Sequence, residues 1–288
     1  MTANPFLVDT DWLFARLDDP NVSVVDASWY LPTMIRNGEP RNGRAEYEAQ
    51  HIPGAVFFDI DAVTEPGSDL PHTLASPEVF AQKVGAMGIS DQDTIVVYDG
   101  MGLFSAPRVW WNFRVMGAAK VVILNGGLPQ WIDDRLPIEA GTAPLYPKLF
   151  KAEFDASAVT DFEAMQKIVS DDSCQIADAR PRGRFDGVDP EPRAGMRQGH
   201  MPGAHSVQFP DIAPGGKLLS AGELKDVFTQ AGVDLTQPVV TTCGSGVTAA
   251  ALALALETAG HHNHTLYDGS WAQWGSRDDT PVEKTFKK

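Results

Sequence analysis

Short β-branched and aromatic runs alternate with longer stretches of helical period along most of this chain. Val22–Asp26, 95–98 and Lys120–Leu124 in the first half read as buried strands, as do Gln175–Asp178, Val239–Thr242 and His264–Tyr267 in the second. Short runs of four or five residues rich in apolar and β-branched side chains suit strands of a buried sheet. Between these runs, 77–87, 106–116, 221–231 and 247–259 carry the apolar spacing and end signals of helices. Strand and helix in alternation predict an α/β fold, a parallel sheet flanked by helices on both faces.

The pattern occurs twice. Val24-Val25-Asp26-Ala27 pairs with Ile176-Ala177-Asp178-Ala179, and His51-Ile52-Pro53-Gly54-Ala55 with His200-Met201-Pro202-Gly203-Ala204. Residues 95–102 pair with 239–246, and Asn125-Gly126-Gly127-Leu128-Pro129-Gln130-Trp131 with 268–274. The offsets fall in order through 152, 149, 144 and 143, so two copies of one domain are separated by small insertions and deletions. Two prolines and a glycine in 141–148 break any periodicity and mark the linker. The expected domains are 1–144 and 150–288. Cys243 of the second copy aligns with Asp99 of the first, so only the C-terminal copy has a thiol at that loop, and the N-terminal one is expected to be catalytically silent.

Composition narrows the class. With 38 acidic and 23 basic residues the formal charge is −15, which argues against a nucleic-acid partner. The longest apolar runs fall short of a membrane span. Two cysteines, Cys174 and Cys243, do not make a disulfide framework and point to a reducing compartment. The first residues lack a basic region and a long apolar core, so neither a secretory signal nor a transit peptide is expected, and the localisation reads as cytoplasmic. His261, His262 and His264 lack a cysteine or paired carboxylate beside them, and no metal site is expected there.

The chemistry centres on Cys243-Gly244-Ser245-Gly246-Val247-Thr248-Ala249, between a strand and a helix start. Unpaired N–H groups and the positive end of the helix dipole favour an anion at such a place. The nearest candidate is the Cys243 sulfur itself. A free thiol is only a few per cent thiolate at neutral pH, and lowering its pKa by about two units takes roughly 2.7 kcal/mol. A nest of backbone donors supplies energy of that order.

Taken together, the repeat and this loop resemble the tandem-rhodanese sulfurtransferases over nearly the whole chain. The fold so implied is two tandem rhodanese-like domains. Within that family the seven-residue loop is similar to that of the branch whose donor is 3-mercaptopyruvate. Thiosulfate-using members tend to carry cations in the loop, where this chain has Gly244, Thr248 and Ala249. The resemblance implies that Cys243 carries a persulfide stabilised by N–H groups of Gly244, Gly246, Val247 and Thr248. It implies that Arg184 and Arg193 hold the donor's carboxylate and keto oxygen, which suits a guanidinium fork. It also implies an Asp61–His72–Ser245 proton relay bridging the two domains, with the site in the cleft between them. The sulfur then passes to a thiol such as thioredoxin, or to cyanide in vitro, without metal or organic cofactor. Alternatives are a thiosulfate:cyanide sulfurtransferase and a non-catalytic sulfur carrier or scaffold. A Cys-x5-Arg phosphatase is argued against by Ala249 at the arginine position.

Overall fold

The computed structural model describes residues 4–285. Its strands in chain order are β1 (Leu7–Val8), β2 (Val22–Asp26), β3 (Ile35–Arg36), β4 (Glu39–Pro40), β5 (Val56–Phe57), β6 (Thr94–Tyr98) and β7 (Lys120–Leu124). They are followed by β8 (Val159–Thr160), β9 (Gln175–Asp178), β10 (Ala204–Ser206), β11 (Val239–Thr242) and β12 (His264–Tyr267). The first sheet has the order β1-β7-β6-β2-β5 and is parallel throughout. The second, read from β8, runs β8-β12-β11-β9-β10 and is also parallel. Strand for strand this is the same topology, so the sequence repeat is a structural repeat. Each sheet is flanked by helices, and the architecture is α/β.

The long strands fall where the apolar runs place them. The edge strands β1, β5, β8 and β10 hold two or three residues, too few to show a period. Paired positions of the repeat fill equivalent places in the two cores: Val96 and Val240, Ile52 and Met201, Trp131 and Trp274. His51 and His200 brace matching turns. Each Nδ1 lies 2.8 Å and 2.7 Å from the carbonyls of Tyr47 and Phe185, and each ring stacks on that aromatic side chain. The helix Val247–Thr258 is apolar all round and buried from Val247 to Leu256 except for Thr248. Burying each of Leu252, Leu254 and Leu256 contributes roughly 1.5–3 kcal/mol.

Two compact units divide the chain. The first comprises the chain up to Gly67, Leu74–Asp155 and Gly215–Leu218. The second comprises Ser68–Thr73, Ala156–Pro214 and the chain from Leu219. The proline-rich stretch 141–148 packs within the first unit, which continues to Asp155. Lys148 Nζ lies 2.7 Å from Asp93, Phe150 stacks edge-on against Phe80, and the N–H groups of Glu153 and Asp155 donate to Met116 and Val115. His72, in the first repeat by sequence, belongs with its six-residue segment to the second unit.

Candidate active site

The site grows from the C-terminal end of β11. The carbonyl of Cys243 accepts the Trp271 N–H at 2.9 Å, and that of Gly244 accepts the Ala272 N–H at 2.9 Å. The Cys243 N–H donates to Ser270 Oγ at 3.3 Å, while that hydroxyl donates to the Tyr267 carbonyl at 3.0 Å. The backbone at 243 is thereby tied to the turn after β12, which sets the direction of its side chain. Ser270 is fully buried with φ 50°, and sequence reading missed it. The available signal was its alignment with Gly127, φ 55°, whose neighbour Leu128 donates to the Asp99 carbonyl in the same way.

Past Cys243 the chain turns at Gly246, φ 82°, and enters the helix Val247–Thr258 with no side-chain cap. The first-turn N–H groups have no intrahelical acceptor, and the dipole adds its positive end. The other repeat displays what such a loop holds. The Asp99 carboxylate accepts N–H groups from Met101 at 2.7 Å and from Ser105 and Ala106 at 2.8 Å. Burial pushes the Asp99 carboxyl above its ordinary range, against these donors, which hold it down. In the second unit the group at the matching position is the sulfur of Cys243, a residue 2% exposed. At the other cysteine, Cys174, burial pushes the thiol up to about 11.

Arg184 leaves the helical turn Arg182–Phe185 and lies over the loop. A Cβ on Gly244 would come within 3.0 Å of Arg184 Nη2, so a residue without a side chain lets that guanidinium approach the main chain, while Arg193 Nη1, 4.0 Å from the same point, lies beside it. Arg193 Nη2 lies 3.4 Å from Ser245 Oγ. His72 Nδ1 lies 3.0 Å from the same hydroxyl, with the ring buried. His72 has φ 60°, a left-handed conformation costing about 1 kcal/mol or more for a residue with a Cβ, and it is held there with its imidazole on Ser245. Val247 and Thr248 open the helix, the first buried and the second half-buried. Of the expected site residues, Cys243, Gly244, Ser245, Gly246, Val247, Thr248, Arg184, Arg193 and His72 thus belong to one unit. Asp61 lies in the first unit, exposed, accepting the Trp29 Nε1–H at 3.0 Å.

A carboxylate that sequence reading passed over completes the second unit's site. Glu191 has a side chain 2% exposed. Its Oε1 accepts Arg180 Nη1 at 2.8 Å, and its Oε2 accepts both Nε, at 3.0 Å, and Nη2 of Arg184. Arg180 in turn donates from Nε and Nη2 to Asp178, at 3.0 Å and 2.7 Å for Oδ2, and sits 4.2 Å over the Trp271 ring. Burial opposes the Arg180 charge, yet Asp178 and Glu191 outweigh it and hold the guanidinium above its ordinary pKa. Glu191 stands in an irregular Pro-rich stretch with Asp186 and Asp189, where no spacing singles it out. Among the described residues no helix is long and apolar enough to cross a membrane, and no cluster of His, Cys, Asp and Glu has metal-holding geometry.

The rhodanese-like domain pattern matches this chain twice, at residues 9–134 and 161–277. The chain is 43% identical over 278 residues to the 3-mercaptopyruvate sulfurtransferase of Escherichia coli (strain K12), covering 96% of this chain and 98% of that enzyme. It is 39% identical to the mitochondrial thiosulfate/3-mercaptopyruvate sulfurtransferase 1 of Arabidopsis thaliana, covering 98% of this chain and 79% of that protein. Its structure superposes on the crystal structure of SseA from Escherichia coli with a TM-score of 0.85 and 41% identity, over 92% of this chain and 98% of SseA.

Proposed function

The chain belongs to the rhodanese-like family, and from that premise we propose that it is a 3-mercaptopyruvate sulfurtransferase working through a Cys243 persulfide. The observation that carries the reading is the thiol at the mouth of β11, beneath an uncapped helix start and next to a guanidinium over Gly244. Cys243 thiolate attacks the donor sulfur. The S–S bond forms as the C–S bond breaks, and the electron pair stays on carbon as the enolate of pyruvate. The proton on the transferred sulfur ends on that carbon, leaving pyruvate and a Cys243 persulfide anion among the loop N–H groups.

Arg184 and Arg193 are assigned to the donor's carboxylate and keto oxygen. Delocalising the leaving electrons onto the keto oxygen is what makes this C–S bond breakable, so a cation held at that oxygen lowers the barrier. Ser245, within hydrogen-bonding distance of His72, is assigned to moving the proton. Replacing His72 with alanine is expected to lower kcat and change the shape of the pH–rate profile, because the Ser245 hydroxyl then has no imidazole to exchange a proton with. An unchanged profile removes the relay.

A thiol, with thioredoxin as the candidate, is assigned as acceptor, and a reducing cytoplasm as the setting. Relay through one covalent group gives ping-pong kinetics. The direct test is intact-protein mass spectrometry after brief mixing with 3-mercaptopyruvate, without reductant. One added sulfur atom on the Cys243 peptide is expected, with none on Cys174, whose thiol stays protonated. A protein that gains no sulfur, or gains it elsewhere, defeats the proposal.

A further inference from the structure

We infer that Ser270 is a positioning residue for the sulfur carrier: its hydroxyl grips the Cys243 N–H and so aims the thiol at the helix start that follows. This deepens the proposed function and rests on Cys243 as the nucleophile. Ser270 is fully buried, in a left-handed conformation with φ 50° that a residue with a Cβ rarely adopts. Such a conformation persists where surrounding contacts over-determine it, and here those contacts are with the nucleophile loop. The hydroxyl has one proton, which goes to the Tyr267 carbonyl at 3.0 Å. Towards the Cys243 N–H, 3.3 Å away, it is therefore the acceptor.

Ties that serve the fold occur in both repeats. The Thr242 carbonyl accepts the Ala179 N–H at 2.9 Å, and the matching Tyr98 carbonyl accepts that of Ala27 at 2.8 Å. The Cys243 carbonyl accepts the Trp271 N–H, as the Asp99 carbonyl accepts that of Leu128. Two further ties belong to the copy with the thiol: the Ser270 hydroxyl on the Cys243 N–H, and the Ala272 N–H on the Gly244 carbonyl. The matching residues of the first copy are Gly127 and Pro129, which have no hydroxyl and no N–H to give. A side chain at Gly127 does not fit either, since its Cβ would clash with the Asp99 carbonyl oxygen and lie 2.9 Å from Gly102 Cα. The loop after Cys243 is thus spaced differently from its counterpart, with room for a side chain at 270. The consequence is a fixed direction. The peptide group before the Cys243 Cα is held at both edges, by Ala179 and by Ser270, and the one after it by Trp271. Holding two successive peptide planes fixes φ and ψ between them, and with them the line of the Cα–Cβ bond. Without the hydroxyl the first plane is held at one edge only, and a buried N–H loses its acceptor.

The test uses Ser270→Gly and Ser270→Ala, with Tm measured in parallel. Glycine takes the left-handed conformation freely, as at Gly127, so Ser270→Gly separates the lost hydroxyl from backbone strain. In both variants kcat/KM is expected to fall about tenfold to a hundredfold, by the same factor with 3-mercaptopyruvate and with thiosulfate, because the nucleophile and not the donor is misplaced. Alkylation by iodoacetamide at pH 7, followed by mass on the Cys243 peptide, is expected to slow about fivefold or more, and its profile to move to higher pH. A folded Ser270→Gly protein with both rates within twofold of wild type overturns the inference. So does a loss confined to one donor, or a loss of transfer with unchanged alkylation. Should the variants not fold, hydrogen exchange in the wild type reads the bond itself. The Cys243 amide is expected to be protected about a hundredfold or more, and exchange at the rate of an open chain overturns the inference. A wild type that takes no sulfur onto Cys243 defeats the proposed function instead, while the alkylation comparison still reads the grip of Ser270, so the two failures are distinct.

Discussion

Replacing Cys243 with serine is expected to lower sulfur transfer by at least about a thousandfold, with every donor and acceptor, while leaving the fold intact. The hydroxyl is close in size to the thiol and enters a position with the same main-chain ties to Trp271 and Ser270, so packing changes little. What is lost is chemical. An alkoxide at neutral pH is far less accessible than a thiolate, and oxygen does not carry a sulfane sulfur as a stable intermediate. The check pairs steady-state rates with a Tm measurement and the mass of the donor-treated protein. Residual transfer near wild-type level in a folded Cys243→Ser protein would mean that sulfur never rests on this residue.

The second large effect concerns Arg184. Arg184→Ala removes the fork over Gly244, and kcat/KM for 3-mercaptopyruvate is expected to fall by about a hundredfold to a thousandfold, the range for truncating one member of a desolvated charge pair. Thiosulfate has no planar carboxylate or keto oxygen to engage a fork, and loses only the attraction of one charge. Its kcat/KM is expected to fall much less. The same substitution leaves Glu191 Oε2 without Arg184, so some stability is lost as well. Arg184→Lys separates the contributions: it keeps the charge but not the planar pair of donors. A partial return of thiosulfate activity without mercaptopyruvate activity is the expected signature. Equal losses on both donors in Arg184→Ala would assign the residue to the fold rather than to the keto acid.

Much of this was legible in the residue order, and the reasons are physical. A parallel strand buried on both faces favours apolar and β-branched residues, so β2, β6 and β7 announce themselves, and the repeat then points to their shorter, half-apolar counterparts β9, β11 and β12. Two or three residues at a sheet edge need no such pattern, and β1, β5, β8 and β10 do not. Cys243 was visible because a glycine-bounded loop between a strand and a helix has few other uses for a thiol. The repeat sharpened the reading by setting Asp99 against it, and the Asp99 carboxylate turns out to sit on three N–H groups of its own loop. Arg184 and Arg193 could be named, but not their company. Glu191 is one of several acids in an irregular stretch, and its burial between two guanidiniums depends on where the turn Arg182–Phe185 places its neighbours.

Local sequence determined the six longer strands, the doubled α/β topology and the choice of Cys243 as the candidate nucleophile, because each depends on periods or motifs within a few residues. Only the tertiary structure decided that residues 68–73 pack with the second unit and carry His72 to 3.0 Å from Ser245, 173 positions along the chain. It alone seated Ser270 against the Cys243 N–H and made Glu191 the shared partner of Arg180 and Arg184. Contacts of that kind arise from how separate elements close on one another, and a side chain's partners across such distances leave no periodic trace in the order of residues.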